Sequence, residues 1–113
     1  MRFRVILLPR AEADIEANAH WWAENHSIEQ AARWLSTVHN QLKTLADFPE
    51  SNGLSAENDE FPYEIRDKIL GLGSRPGYRA VITIRENAVC VLTVRRGAED
   101  ILRPEQIDAP PTT

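Results

Sequence analysis

The sequence of 113 residues predicts an α+β fold with the element order strand, helix, helix, strand, strand, strand. Three observations support this prediction. Two neighbouring segments in the first half place apolar residues three and four positions apart, which is the spacing of an α-helix. Two segments in the second half, 78–84 and 88–94, are dense in Val, Ile, Thr and Tyr, which favour strands. Only the polar triplet Arg85, Glu86 and Asn87 separates them, so a tight antiparallel hairpin is expected.

A short aliphatic run from Phe3 to Leu8 predicts the first strand, and Pro9 ends it. Proline is favoured in the first turn of a helix, and the acidic residues that follow suit the helix dipole. We therefore predict a helix from Pro9 to Asn25, with Trp21 beside its buried stripe in a packing role. The stripe itself is expected to contain five residues at helical spacing: Ala11, Ile15, Ala19, Trp22 and His26.

The second helix is predicted to begin at Ser27, with Gln30 three residues later in the spacing of a capping box. It is expected to end before Phe48 and Pro49, after roughly 20 residues or near 30 Å. The turn between the two helices is very short, which predicts an antiparallel helical hairpin. The apolar positions of this helix repeat regularly: Ile28, Ala31, Leu35, Val38, Leu42 and Leu45.

The rest of the chain completes a sheet. The polar stretch 50–61 predicts a loop. A strand is predicted from Pro62 to Leu72, in which Asp67 interrupts the apolar pattern and indicates a bulge or an exposed stretch. Both parities of 78–84 and 88–94 are apolar, so both faces of these strands should be covered. We expect the helical hairpin to pack on one face of a mainly antiparallel four-stranded sheet.

Composition limits the domain count and the kinds of site. We assign residues 1–103 to a single domain and expect the Pro-rich tail 104–113 to fray. Cys90, the only cysteine, is expected in the core. The N-terminal apolar run is too short to cross a membrane, so we expect a cytoplasmic protein. We also expect no cofactor and no metal. Surface or edge packing, and not metal binding, is expected for the three histidines: His20, His26 and His39.

Charge is distributed unevenly along the chain. The formal net charge of -4 argues against a protein whose whole surface binds nucleic acid, yet residues 63–96 carry seven basic and three acidic side chains. Arg79 begins one predicted strand, and Arg95 with Arg96 ends the next, so these side chains should gather at one end of the sheet. They either bind a partner or serve the structure. In the structural alternative, Arg79 and Arg95 pair with nearby carboxylates: Glu64, Glu99 or Asp100.

Several short motifs occur along the chain in a fixed order. They are Pro9, Ala11, Asp14 and Ile15; Ala31, Trp34 and Leu35; Phe48 and Pro49; Tyr78 and Arg79; and the segment VRRGAED at 94–100. Together, from the first strand to Asp100, they resemble the RelE/ParE superfamily of toxins from type II toxin-antitoxin systems. The resemblance implies a compact RelE-like α+β toxin that is held inactive by a cognate antitoxin.

The resemblance also implies one of two activities. RelE-like members cut messenger RNA on the ribosome, whereas ParE-like members bind DNA gyrase and stop it. RNA cleavage requires a proton acceptor, a proton donor and a group that stabilises charge on the phosphate. This chain has Arg96 where some members have a histidine, and it has no tyrosine after Tyr78. These departures favour the ParE-like interpretation. A decayed or regulatory member that binds its antitoxin and inhibits nothing is a third alternative.

Each interpretation assigns particular residues. On the ParE-like one, the target is bound by the segment 101–107 and by four arginines: Arg66, Arg79, Arg95 and Arg96. On the RelE-like alternative, the catalytic set is Glu64 as the base together with Arg66, Arg79 and Arg96. Trp34 is the predicted anchor for the antitoxin, provided that it lies off the buried stripe of the second helix.

Overall fold

The computed structural model describes residues 2–74, 76–97 and 101–110. The element order is the predicted one, and short 3-10 turns connect α2 to β2 and follow β4. The helices and strands are β1 (Arg4–Leu7), α1 (Pro9–Asn25), α2 (Ile28–Lys43), β2 (Arg66–Leu70), β3 (Tyr78–Ile84) and β4 (Ala88–Arg96).

The four strands form one sheet in the order β1-β4-β3-β2. β2, β3 and β4 are an antiparallel meander, and β1 joins the far edge parallel to β4, with Arg4 opposite Ala88 and Leu7 opposite Val91. The two helices lie between β1 and β2 in sequence, and these strands are at opposite edges of the sheet. The chain therefore crosses one face of the sheet as the helical hairpin before it enters β2. The predicted α+β fold with a mainly antiparallel four-stranded sheet is confirmed.

The helical hairpin covers one face of this sheet. Ser27 caps α2, because its hydroxyl oxygen accepts a hydrogen bond from the Gln30 amide at 3.0 Å. The core on this side is formed by residues from both helices and from the sheet: Ala11, Ile15, Trp34, Val38, Leu42, Ala80, Ile82, Val89, Val91 and Val94. Two predicted stripe residues lie elsewhere, since Ile28 is 75% exposed and His26 is exposed at the hairpin turn.

The opposite face of the sheet is covered by the loop before β2 and by the segment after β4. Its core contains Leu8, Phe61, Ile65, Val81, Cys90, Leu92 and Leu102. Two covered faces explain why β3 and β4 are apolar at both parities. Cys90 is wholly buried, as expected, and burial raises the pKa of its thiol.

Several boundaries differ from the predicted ones. β2 starts only at Arg66, because the Ile65 amide donates to the Asn58 side-chain oxygen at 2.8 Å and thus belongs to the loop. Asp67 forms no bulge, and the irregularity lies instead between Val81 and Ile82 in the β3–β4 pairing. α2 ends at Lys43 and continues as a 3-10 turn, so it is shorter than predicted.

The described part of the C-terminal tail contacts the start of α1. The Arg10 guanidinium donates to the carbonyl of Gln106 at 3.0 Å, and the Arg10 amide donates to Asp108 at 3.3 Å. Ile107 packs against the second core. These contacts hold residues 104–108 against the start of α1, while residues 111–113 lie outside the described part.

Candidate functional site

Three arginines lie at one end of the sheet, as the sequence predicted. In the β3–β4 register, Arg79 is opposite Arg95 and Tyr78 is opposite Arg96. Residues that pair across antiparallel strands point to the same face, and neighbours along a strand point to opposite faces. Arg79 and Arg95 therefore face the side away from the helices, and Arg96 faces the helical side. The three guanidinium groups share an end of the sheet but do not form one cluster.

Arg79 is buried in an ion-paired network. Its side chain is only 6% exposed, and its two terminal nitrogens lie 2.9 and 2.6 Å from the carboxylate oxygens of Glu57. Nη1 also lies 3.0 Å from Asp67. The bonds to Glu57 raise the pKa of Arg79 further, and the Arg79 hydrogen bonds lower the pKa of Glu57 to about 2. Its charge is neutralised inside the protein, so Arg79 is not available to a target.

The same network ties four parts of the chain together. Glu57 accepts a hydrogen bond from the Leu102 amide at 2.9 Å, and Asp67 accepts one from the Ser55 hydroxyl. The loop, β2, β3 and the C-terminal segment thus meet at Arg79. Arg79 does pair with carboxylates, as the structural alternative predicted. Its described partners are Glu57 and Asp67, and not Glu64. Pairing with Glu99 or Asp100 concerns residues outside the described part.

Arg66 lies apart from the other arginines. Arg66 is opposite Ile82 on β3. This pair lies four residue pairs away from the Leu70–Tyr78 pair, which is at the end of the sheet where Arg79, Arg95 and Arg96 lie. The Nε of Arg66 lies 3.0 Å from the 58% exposed Glu64 carboxylate. Its Nη1 donates to the carbonyls of Asn52 at 2.6 Å and Glu50 at 3.2 Å. Arg66 thus holds the start of the loop, and the four arginines predicted as a joint site do not form one cluster.

Arg96 packs on an aromatic group that sequence reasoning assigned only to helix packing. Its guanidinium carbon lies 4.2 Å above the ring centre of Trp21, and the rings of Trp21 and Trp22 meet edge to face at 5.8 Å. The Trp22 indole donates to the Tyr78 hydroxyl at 3.2 Å, and His26 packs on Trp22 at 4.5 Å. We call Trp21, Trp22, His26 and Arg96 the aromatic corner. The sequence feature that indicated this corner was the position of Trp21 outside the apolar stripe of α1.

Trp34 does not meet the condition set for an antitoxin anchor. It is wholly buried, and its ring lies 5.1 Å from that of Tyr78 in the main core. Trp34 and Leu35 are neighbours on α2, and the structure buries Trp34 while leaving Leu35 half-buried. The core-facing stripe is therefore centred closer to Trp34 than the sequence pattern indicated.

A groove lies between α1 and α2. It is on the side of α1 that is opposite Trp21. Its volume is about 330 Å³, and it is lined by Leu7, Glu12, Ile15, Glu16, Ala19, His20, Leu35 and His39. A second hollow lies at Leu102 and Pro104, and neither is lined by any of the four arginines. In residues 2–74, 76–97 and 101–110, no three side chains are arranged to bind a metal ion. No helix in that part of the chain is long and apolar enough to cross a membrane.

Comparisons with known proteins identify the family. No curated protein matches the sequence. A solved structure titled "Chromosomal ParDE TA system from P. aeruginosa" has a chain that is similar in fold, with a TM-score of 0.69 and 18% sequence identity. The match covers 84% of this chain and 96% of that one. A family model described as "ParE toxin of type II toxin-antitoxin system, parDE" matches residues 5–101. The chain therefore belongs to the ParE toxin family of type II toxin-antitoxin systems.

Proposed function

We propose that this toxin acts in the cytoplasm by binding DNA gyrase and stopping it, and that its cognate antitoxin prevents this contact. One observation carries the choice of binding over RNA cleavage. Arg79, which would be central to a phosphate site on the sheet, has its charge neutralised by Glu57 and Asp67 in the interior. The guanidinium of Arg79 is therefore not available to a phosphate group.

The other candidate groups in the described part of the chain lie too far apart to act together in RNA cleavage. A base and a cationic group must reach the same phosphodiester from hydrogen-bond distance. Glu64, the predicted base, contacts only Arg66 among the four arginines, and that contact is exposed. Arg66 in turn donates to two loop carbonyls. Arg96 lies on the helical side of the opposite end of the sheet, so it cannot share a substrate with this pair.

The Glu64–Arg66 contact is nevertheless the feature that favours the alternative of a RelE-like ribonuclease. The two side chains meet at 3.0 Å on the surface, where a carboxylate beside a guanidinium can act on a phosphate. The distance between Arg66 and the other arginines weighs against it. Replacing Glu64 by Gln separates the alternatives, since a ribonuclease would lose its base and a gyrase inhibitor would lose nothing.

The groove between α1 and α2 suits an antitoxin segment. Its floor contains Ile15, Ala19 and Leu35, and the carboxylates of Glu12 and Glu16 lie at its wall. An amphipathic helix with apolar residues on one face and basic residues beside them would match both features. We propose that the antitoxin inserts such a helix here. Trp34 is wholly buried and is not among the residues that line this groove.

The proposal is tested with purified proteins in a supercoiling assay. Relaxed plasmid, gyrase and ATP are incubated with increasing toxin, and the fraction of supercoiled plasmid is read from a gel. We expect supercoiling to fall with toxin concentration and to recover when antitoxin is added in equimolar amount. Unchanged supercoiling at a large molar excess of folded toxin would contradict the proposal.

A further inference from the structure

We infer that the outer edge of β1 receives an extended segment of the antitoxin, which joins the sheet there as a fifth strand. The inference deepens the proposed function and rests on it in one respect, since it takes the groove between α1 and α2 as the place where the antitoxin helix docks. It adds a contact of a different kind, which consists of backbone hydrogen bonds to the edge of a sheet.

The outer edge of β1 carries backbone groups that the fold does not use. β1 is an edge strand, beside β4. The amides of Arg4 and Leu8 donate to β4 carbonyls at 3.0 and 3.1 Å, so every second residue of the strand bonds inward. The N–H groups of Val5 and Leu7 and the C=O group of Val5 therefore point outward. None of these three groups has a hydrogen-bond partner among the described residues.

The opposite edge of the sheet, on β2, is covered by other parts of the protein. The Asp67 amide points outward and donates to the Gly53 carbonyl at 3.0 Å. The side-chain amide of Gln41 binds both backbone groups of Gly71, with its oxygen 2.9 Å from the N–H and its nitrogen 3.1 Å from the C=O. Ile69, between these positions, leaves a gap of one residue, which is too short to pair with another strand.

The edge of β1 is regular and mostly apolar. Protein sheets commonly protect an open edge with a bulge, a proline or a charged side chain. β1 pairs with β4 without irregularity from Arg4 to Leu7, and its one charged residue is at the first position. Val5 and Leu7 are aliphatic and only half-buried against the main core. An edge of this kind is the template to which a further strand adds.

The antitoxin is the partner that reaches this edge. The chain belongs to a family of toxins from type II toxin-antitoxin systems, so a cognate antitoxin is its partner. Leu7 ends β1 and also lines the groove between α1 and α2. An antitoxin chain that leaves the groove at Leu7 is therefore already beside the outward backbone groups. The groove and the edge form one continuous surface.

Charge disfavours a second copy of the toxin at this edge. Glu12 and Glu16 line the groove together with Leu7, so two toxins paired through β1 would place two carboxylates from each copy near the shared edge. Like charges that face each other across an interface weaken it. The antitoxin segment that suits the groove is basic and neutralises the same carboxylates. Charge thus selects the antitoxin over a second toxin.

The geometry also defines the antitoxin segment. Its carbonyl groups have to meet the N–H groups of Val5 and Leu7, which are two residues apart, and one of its N–H groups has to meet the Val5 carbonyl. A stretch of about three extended residues without proline satisfies these bonds. Its side chains on the helical side lie beside Val5 and Leu7, so we expect them to be apolar.

Hydrogen exchange on the wild-type toxin tests the inference without any substitution. Amide exchange is measured by NMR on the unbound toxin and on its complex with purified antitoxin. We expect the Val5 and Leu7 amides to exchange faster than the Asp67 amide in the unbound toxin, and to slow at least about tenfold in the complex. Backbone NOEs from these residues to every second antitoxin residue should identify the added strand. Unchanged exchange of both amides in a saturated complex would overturn the inference.

Val5→Pro tests the contribution of one edge hydrogen bond to affinity. It removes the outward N–H and leaves the bonds to β4 in place. Ile69→Pro makes the same change on the other edge and serves as the control. We expect Val5→Pro to bind the antitoxin at least about fivefold more weakly, and Ile69→Pro to bind like wild type. Equal affinities of the two folded variants would overturn the inference. If thermal unfolding shows that Val5→Pro does not fold, the exchange measurement on wild type decides.

These measurements distinguish the inference from the proposed function. Protection of the Val5 and Leu7 amides in the complex supports the edge contact even if the toxin leaves gyrase supercoiling unchanged. The same protection supports it if Leu35→Glu binds the antitoxin normally and groove docking is therefore wrong. Slow exchange of both amides in concentrated toxin without antitoxin, together with a dimer in sedimentation, would show that a second copy occupies the edge and would overturn the inference.

Discussion

Arg79 and Glu57 form a two-contact ion pair in the interior of the toxin, with nitrogen-to-oxygen distances of 2.9 and 2.6 Å. The two residues are 22 positions apart, and their side chains are 6% and 9% exposed. An arginine fork and a carboxylate make strong, directional hydrogen bonds. Because Glu57 also binds the Leu102 amide, the pair joins the loop, the sheet and the C-terminal segment.

Removal of Glu57 should destabilise the fold strongly. Glu57→Ala leaves a buried guanidinium with Asp67 as its one charged partner among the described residues, and breaking a buried pair costs about 3–5 kcal/mol. We expect the free energy of unfolding, measured by urea titration, to fall by this amount. Glu60→Ala, three residues later and exposed, should change it by less than about 0.5 kcal/mol. Equal effects of the two substitutions would contradict the structural role of the pair.

The same pair should make stability depend on acid pH. Hydrogen bonds from Arg79 lower the pKa of Glu57 from 4.5 to about 2. A carboxyl group whose pKa is lower in the folded state stabilises the fold above its unfolded pKa, and this contribution is lost as pH falls. We expect wild type to lose about 3 kcal/mol through this group between pH 5 and pH 2. Urea titrations across this range should show a shallower loss in Glu57→Gln, and parallel curves would contradict the assignment.

Asp14 should stabilise the edge of β4 where β1 stops. β1 pairs with β4 only as far as Val91, and beyond it the Asp14 carboxylate accepts from the Val94 amide at 3.1 Å and from the Thr93 hydroxyl. Asp14→Ala leaves the Val94 amide without this acceptor, at a cost of about 1–3 kcal/mol. Hydrogen exchange of that amide should accelerate. Glu24→Ala, also on α1 but exposed, is the control and should leave the exchange rate unchanged.

The groove between the helices should decide antitoxin binding. Leu35→Glu places a charge on its apolar floor, so the affinity for the antitoxin should fall at least about tenfold. Asn40→Glu adds the same charge at an exposed position of α2 outside the groove lining and serves as the control. Calorimetry with the purified antitoxin measures both. If Leu35→Glu binds as tightly as Asn40→Glu, the antitoxin docks elsewhere.

The parts of this fold that depend on local patterns could be predicted from the sequence. The bounds of α1 follow from Pro9 and the apolar period, and the meander of β2, β3 and β4 follows from short connections between consecutive strands. The arginine end of the sheet follows from antiparallel geometry. These features need no information about which distant residues meet.

The composition of the site depends on such distant contacts, and there the sequence was insufficient. Several carboxylates lie in the polar loop before β2, and nothing local distinguishes Glu57 as the partner of Arg79. The stacking of Arg96 on Trp21 requires the register of β4 against α1, and Trp21 lies 75 positions before Arg96 in the chain. Trp34 was misplaced because two adjacent positions of α2 fit the apolar period equally well.

The most direct test of the central claim is made in cells that express the wild-type toxin or its Glu64→Gln variant at equal level. Plasmid topology is read on chloroquine gels, and messenger RNA breaks are read by primer extension from the same cultures. We expect both proteins to relax the plasmid early and neither to produce codon-linked breaks before it relaxes. Early breaks that disappear in Glu64→Gln, with plasmid topology unchanged, would contradict the account.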